Sequence, residues 1–80
     1  MTITVYLLMD IEIGKTEQVL EKLQLIPEAT KIAVTTGIYD IILRLEVDNL
    51  DELYTITLKI HSIPGIKETT TAVVEKMLYS

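Results

Sequence analysis

Gly37, Tyr39 and Asp40 stand in the stretch Val34-Thr35-Thr36-Gly37-Ile38-Tyr39-Asp40-Ile41-Ile42, and they are the residues of this chain whose types and spacing could do chemistry. An Asp in a turn leaves a carboxylate able to accept several hydrogen bonds, and a Gly beside it exposes backbone that a small ligand can approach closely. Together they suit the binding of a small polar molecule. The same residues also suit a plain turn, since Gly37 supplies a positive φ and Asp40 can bond neighbouring backbone amides as the chain reverses. Two strands are needed to hold such a turn. On its left Lys31 to Thr36 is rich in β-branched residues, and on its right Ile41 to Val47 reads Ile-Ile-Leu-Arg-Leu-Glu-Val, so the stretch reads as the tip of an antiparallel hairpin.

The remaining elements support that hairpin. From Thr2 to Met9 the residues Ile3, Val5, Leu7 and Met9 alternate with Thr4, Tyr6 and Leu8, the period of a strand with one well-buried face. Ile11 to Gly14 connects to a helix over Lys15 to Leu25, with Val19, Leu20 and Leu23 on one side and Glu17, Gln18, Glu21 and Lys22 on the other; Pro27 prevents its continuation. Asp48 and Asn49 are N-cap candidates for a second helix running to about His61, and Asp51 and Glu52 suit its first turn. Its sheet-facing stripe is Leu50, Leu53, Ile56 or Thr57, and Ile60, and Pro64-Gly65 stops it. In the last segment, Ile66 to Leu78, the β-rich run Thr69 to Val74 marks a fourth strand. The order β-α-β-β-α-β predicts one α+β domain over residues 1–80. It has the ferredoxin-like layout, a four-stranded antiparallel sheet with two helices on one face. The uncovered face then carries Tyr6, Leu8 and Ile42 among Thr, Arg and Glu, and is expected to pack against a second sheet.

Composition narrows the functional classes. Eighty residues bury only about 60–65 % of their unfolded surface, yet 49 % of this chain is hydrophobic, so part of the apolar surface is expected to face another subunit. With no Cys and one His, thiol catalysis, thiolate metal sites and polyhistidine sites are excluded, and no cofactor is expected. A net charge of −5 opposes direct binding of DNA or RNA, which draws on clustered Lys and Arg. No run reaches the ~18–20 apolar residues of a membrane span, and the N-terminal stretch lacks a basic n-region. A cytoplasmic protein is the simplest expectation.

Three signatures carry a family resemblance: Val34 to Asp40 as a turn with Gly, an aromatic and Asp; Asp48 through Leu53 as a polar start to the second helix; and Ile63-Pro64-Gly65-Ile66 followed by Thr69 and Thr71. In this order the chain resembles the effector-binding (RAM) domain of the Lrp/AsnC transcriptional regulators over nearly its whole length. It begins directly at the first strand, where the family's usual member carries a helix-turn-helix domain first, and so is most similar to stand-alone members. The resemblance implies dimers formed through the sheets in a dimeric α/β-barrel-like packing, rings of dimers, and an amino-acid effector bound between dimers. It also implies co-assembly with full-length Lrp/AsnC regulators. Carried over residue by residue, it implies that Gly37, Ile38, Tyr39 and Asp40 line the effector site, with Thr69, Thr71 and Val73 contributing from strand four or a neighbouring subunit. His61 falls near the end of the second helix, close to where the family places its pocket.

Each residue also has a structural use. Tyr39 suits a core or interface aromatic, Thr69 to Thr71 suit any strand, and His61 suits a solvated helix end. A small dimeric ferredoxin-like enzyme is the alternative function, by analogy of fold alone, but the acidic residues lie on separate elements without a nucleophile or base to join them. The expected protein is therefore a non-enzymatic amino-acid-binding and oligomerisation module.

Overall fold

The computed structural model describes residues 2–79. Its elements are β1 (Ile3–Ile11), α1 (Thr16–Leu23), β2 (Ala29–Val34), β3 (Ile41–Val47), α2 (Leu50–His61) and β4 (Ile66–Val73), in one antiparallel sheet of order β2-β3-β1-β4. This is the ferredoxin-like arrangement. β1 and β2 are the outer strands of one split βαβ unit with β3 between them, and β3 and β4 those of the other with β1 between them.

Alternation decides the layers. In β1 and β3 every second residue is buried: Val5, Leu7 and Met9 stand opposite Leu45, Leu43 and Ile41 beneath the helices, with Ile11 and Val47 continuing the buried face of their strands. Val19 and Leu23 from α1, and Leu53, Ile56 and Ile60 from α2, close the core over them. No charged or polar side chain is buried among the described residues. α2 begins where expected, because the Asn49 side chain accepts the Glu52 N–H at 2.8 Å.

Several boundaries differ from the sequence expectation, each for a backbone reason. β1 continues past Met9, since Asp10 and Ile11 pair with Glu68 and Ile66; Asp10 lies on the open face within 3.8 Å of Lys67. α1 is shorter than Lys15 to Leu25. Lys15 is its N-cap, and beyond Leu23 the Leu25 and Ile26 amides bond Lys22 and Leu23 in a tighter turn. β2 starts at Ala29 and ends at Val34, two residues before Thr36, so Thr35 belongs to the turn. β4 ends at Val73, and the chain beyond it holds the sheet through the Val74 N–H to Thr4.

Leu50 is the one member of the expected helix stripe that leaves it, at 62 % exposed. Steps of about 100° per residue turn it well away from the line of Leu53, Ile56 and Ile60, toward the side occupied by Tyr54 and His61. Apolar character alone did not reveal this.

Candidate functional site

The β2–β3 turn is closed by two local hydrogen bonds and a glycine. The Thr35 N–H donates to the Asp40 carbonyl at 2.8 Å, and the Thr35 hydroxyl donates to the Tyr39 carbonyl at 2.8 Å, closing the loop from both sides. Gly37 takes φ +104°, with nothing within 4 Å of where a Cβ would stand. Backbone at Gly37 is therefore open to approach from outside. Ile38 beside it is 84 % exposed, while Tyr39 and Asp40 are half-buried.

Asp40 does more than turn the chain. Its carboxylate Oδ2 accepts the Ile11 N–H at 2.8 Å, and its own N–H donates to the Met9 carbonyl at 2.9 Å. The expectation that its side chain bonds neighbouring amides is thus corrected: the acceptor serves β1, 29 residues away in sequence. The turn is fastened to the end of the central strand. No hydrogen bond among the described residues uses the other oxygen, Oδ1.

Thr69, Thr71 and Val73 lie on the edge strand β4 and share the helix-side face with Met9, Leu7 and Val5, their register partners. β1 separates them from the turn, an offset of about 9–10 Å across the sheet. Val73 is a further ~13 Å down the strand from the level of Met9, so within one chain it does not meet Asp40. Thr71 and Val73 are exposed, and Thr69 is half-buried against His61, whose Nε2 is 2.9 Å from the Thr69 Oγ1. His61 thus belongs to the β4 group. The expected residues form two surfaces, a tip and an edge, and one chain does not bring them together.

The best-formed grooves among the described residues lie away from the tip. Three open grooves of about 220, 300 and 190 Å³ are lined by residues of α1, α2, β2 and the segments that follow the helices, such as Lys22, Ile26 and Ile63, and none includes a residue of the turn. Among the described residues no group of three or more Asp, Glu and His is placed to hold a metal ion. No described helix is long and apolar enough to cross a membrane. Sequence reasoning missed Ile11 as the partner of Asp40, and no local signal could have supplied it, because the contact depends on the pairing of β1 with β3.

Residues 4–80 match the sequence model of the Lrp/AsnC ligand binding domain. The chain belongs to that family. The transcriptional regulator FL11 of Pyrococcus horikoshii is 34 % identical over 71 residues, which are 89 % of this chain and 47 % of the regulator. The chain therefore spans about half the length of the curated relatives it matches. Nearly end to end, it resembles the crystal structure of the P. horikoshii hypothetical protein PHS023, with a TM-score of 0.83 and 37 % identity, covering 98 % of this chain and 94 % of that one. The transcriptional regulator NMB0573 of Neisseria meningitidis, solved as a complex with L-Met, shares the fold at a TM-score of 0.90 and 17 % identity, over 98 % of this chain and 53 % of that one. In this Lrp/AsnC domain the Gly37–Asp40 turn stands at one end of the sheet, fastened to β1 and open at its tip.

Proposed function

We propose that this Lrp/AsnC ligand-binding domain binds a free amino acid at its Gly37–Asp40 turn, and that the site is completed where copies of the domain meet. The family match over residues 4–80 carries the proposal. The chemistry of the turn supports it. An amino acid is a zwitterion, so its ammonium needs an acceptor, and the Oδ1 oxygen of Asp40 is available while Oδ2 is held by the Ile11 N–H. Its carboxylate needs donors, and the unobstructed backbone at Gly37 offers them. Ile38 and Tyr39 supply apolar contact for the effector's side chain.

A single tip has no walls, and that is why the completed site needs a second chain. The exposed edge residues Thr71 and Val73 supply a hydroxyl and an apolar surface suited to closing the tip of another subunit. The complex of NMB0573 with L-Met supports an amino acid as the ligand class. The domain acts without catalysis, in the cytoplasm, and its effect on transcription runs through assembly with itself or with full-length regulators of the family.

Thermal melting in the presence of each free amino acid tests this reading. A ligand bound only by the folded state at a hundred times its Kd adds about 2.7 kcal/mol, which for a domain of this size raises Tm by roughly 10 °C or more. One or a few amino acids should do so. If none of the twenty moves Tm while the protein is oligomeric, the proposal is wrong.

A further inference from the structure

The groove of about 220 Å³ lined from the last turns of α1 and α2 and the segments that follow them combines two lysines with apolar walls. Ile26 and Ile63 are buried and half-buried in it, Leu25 and Pro27 stand exposed at its edge, and Lys22 of α1 and Lys59 of α2 line it from either helix. Each lysine alone has a local explanation, because a cation in the last turn offsets the negative end of its helix. That does not explain why both line one cavity. Among the described residues neither joins an ion pair; those that form use Arg44 and Lys67. The positions three and four residues away hold Gln18, Val19, Leu25 and Ile26 around Lys22, and Thr55, Ile56, Ser62 and Ile63 around Lys59, so neither helix supplies a carboxylate. In a chain with twelve acidic residues against seven Lys and Arg, this groove is locally positive.

Unpaired ammonium groups beside apolar walls fit an anion with an apolar body, which gains a charge-assisted contact at one end and sheds water at the other. We infer that this groove binds a small monocarboxylic acid without an ammonium group, its carboxylate meeting Lys22 and Lys59 and its aliphatic body covering Leu25, Ile26 and Ile63. The volume limits the body, since drug-sized ligands occupy about 300–1,000 Å³. Glu21 limits the charge: it lines the adjoining groove, which shares Lys22 and Ile63, and repels a second carboxylate. A free amino acid is disfavoured, because its ammonium is carried beside its carboxylate and would be held against the two lysines. The Gly37–Asp40 turn has the opposite preference, so the two sites are separable.

Titration of the wild-type chain with isocaproate, its neutral isostere isocaproamide and leucine, followed residue by residue through the backbone amides in two-dimensional NMR, tests this. Isocaproate is expected to shift the Leu25, Ile26 and Ile63 amides saturably with a Kd of about 1 mM or tighter. Isocaproamide should bind about fivefold more weakly, since two ion contacts at an open surface are lost. Leucine should leave those amides in place. Lys22→Gln/Lys59→Gln, which changes only exposed side chains, should bind acid and amide equally, while Lys22→Arg/Lys59→Arg keeps the preference for the acid. Equal affinity of the wild type for acid and amide overturns the inference, and so does a response confined to the Gly37–Asp40 turn. The absence of any saturable response, the result expected if a second copy or another protein covers the groove, overturns it too. Because leucine reads the turn and isocaproate the groove, failure at either site leaves the other standing.

Discussion

Replacing Gly65 with alanine will cost about 2–4 kcal/mol and lower Tm by roughly 10 °C or more, measured at the same protein concentration as wild type. Two penalties combine at this position. Gly65 takes φ +103°, a conformation in which a side chain is strained, and an added Cβ would stand 2.8 Å from the Lys15 Cβ and 3.2 Å from the Val19 Cγ2. The Lys15 Cβ is fixed to the backbone at the start of α1 and cannot swing aside. The Gly65 carbonyl also accepts the Glu12 N–H at 2.8 Å, so a shift of the loop to relieve the clash would break the tie between β4 and the β1–α1 connection. Gly37→Ala is the matched control. Its φ is +104° but its surroundings are empty, so only the backbone penalty of about 1–2 kcal/mol applies. Equal losses at the two positions would contradict the packing argument for Gly65.

Asp40→Asn should separate holding the turn from binding a ligand. An asparagine side-chain oxygen can still accept the Ile11 N–H, so the fold should survive with a loss of about 1 kcal/mol or less. The negative charge is gone, however, and a ligand ammonium loses a charge-assisted bond; affinity for the effector should fall about 10–100-fold by calorimetry. Asp40→Ala removes both roles and adds about 1–3 kcal/mol of destabilisation, because the Ile11 amide loses its acceptor. Amino-acid binding by Asp40→Asn with wild-type affinity would show that this carboxylate is structural and that the ligand sits elsewhere.

The reach of the sequence ends where tertiary pairing begins. Alternation in β1 and β3 and the Asn49 cap are local signals, and the elements they mark are present with the expected faces. The Gly37 turn was equally legible, since a positive φ has few other residues to serve it. The partner of Asp40 was not, because it comes from a strand joined to the hairpin only by sheet pairing. The expected first strand stops at Met9, although Asp10 continues it on the open face, where a charge is tolerated. Leu50 read as core because its apolarity fits the stripe, while its angular position does not. The ferredoxin-like layout already sets the strand order β2-β3-β1-β4, and with it the two-strand offset between the Gly37–Asp40 tip and β4.

Whether an amino acid binds where copies of this domain meet can be read from molar mass in solution, by light scattering at moderate salt with and without a mixture of the free amino acids. A mass of several dimers is expected, which the mixture raises or protects against dilution, because a ligand shared between subunits stabilises their contact by mass action. A monomer whose mass no amino acid changes would contradict it and would leave the Gly37–Asp40 turn as a turn alone.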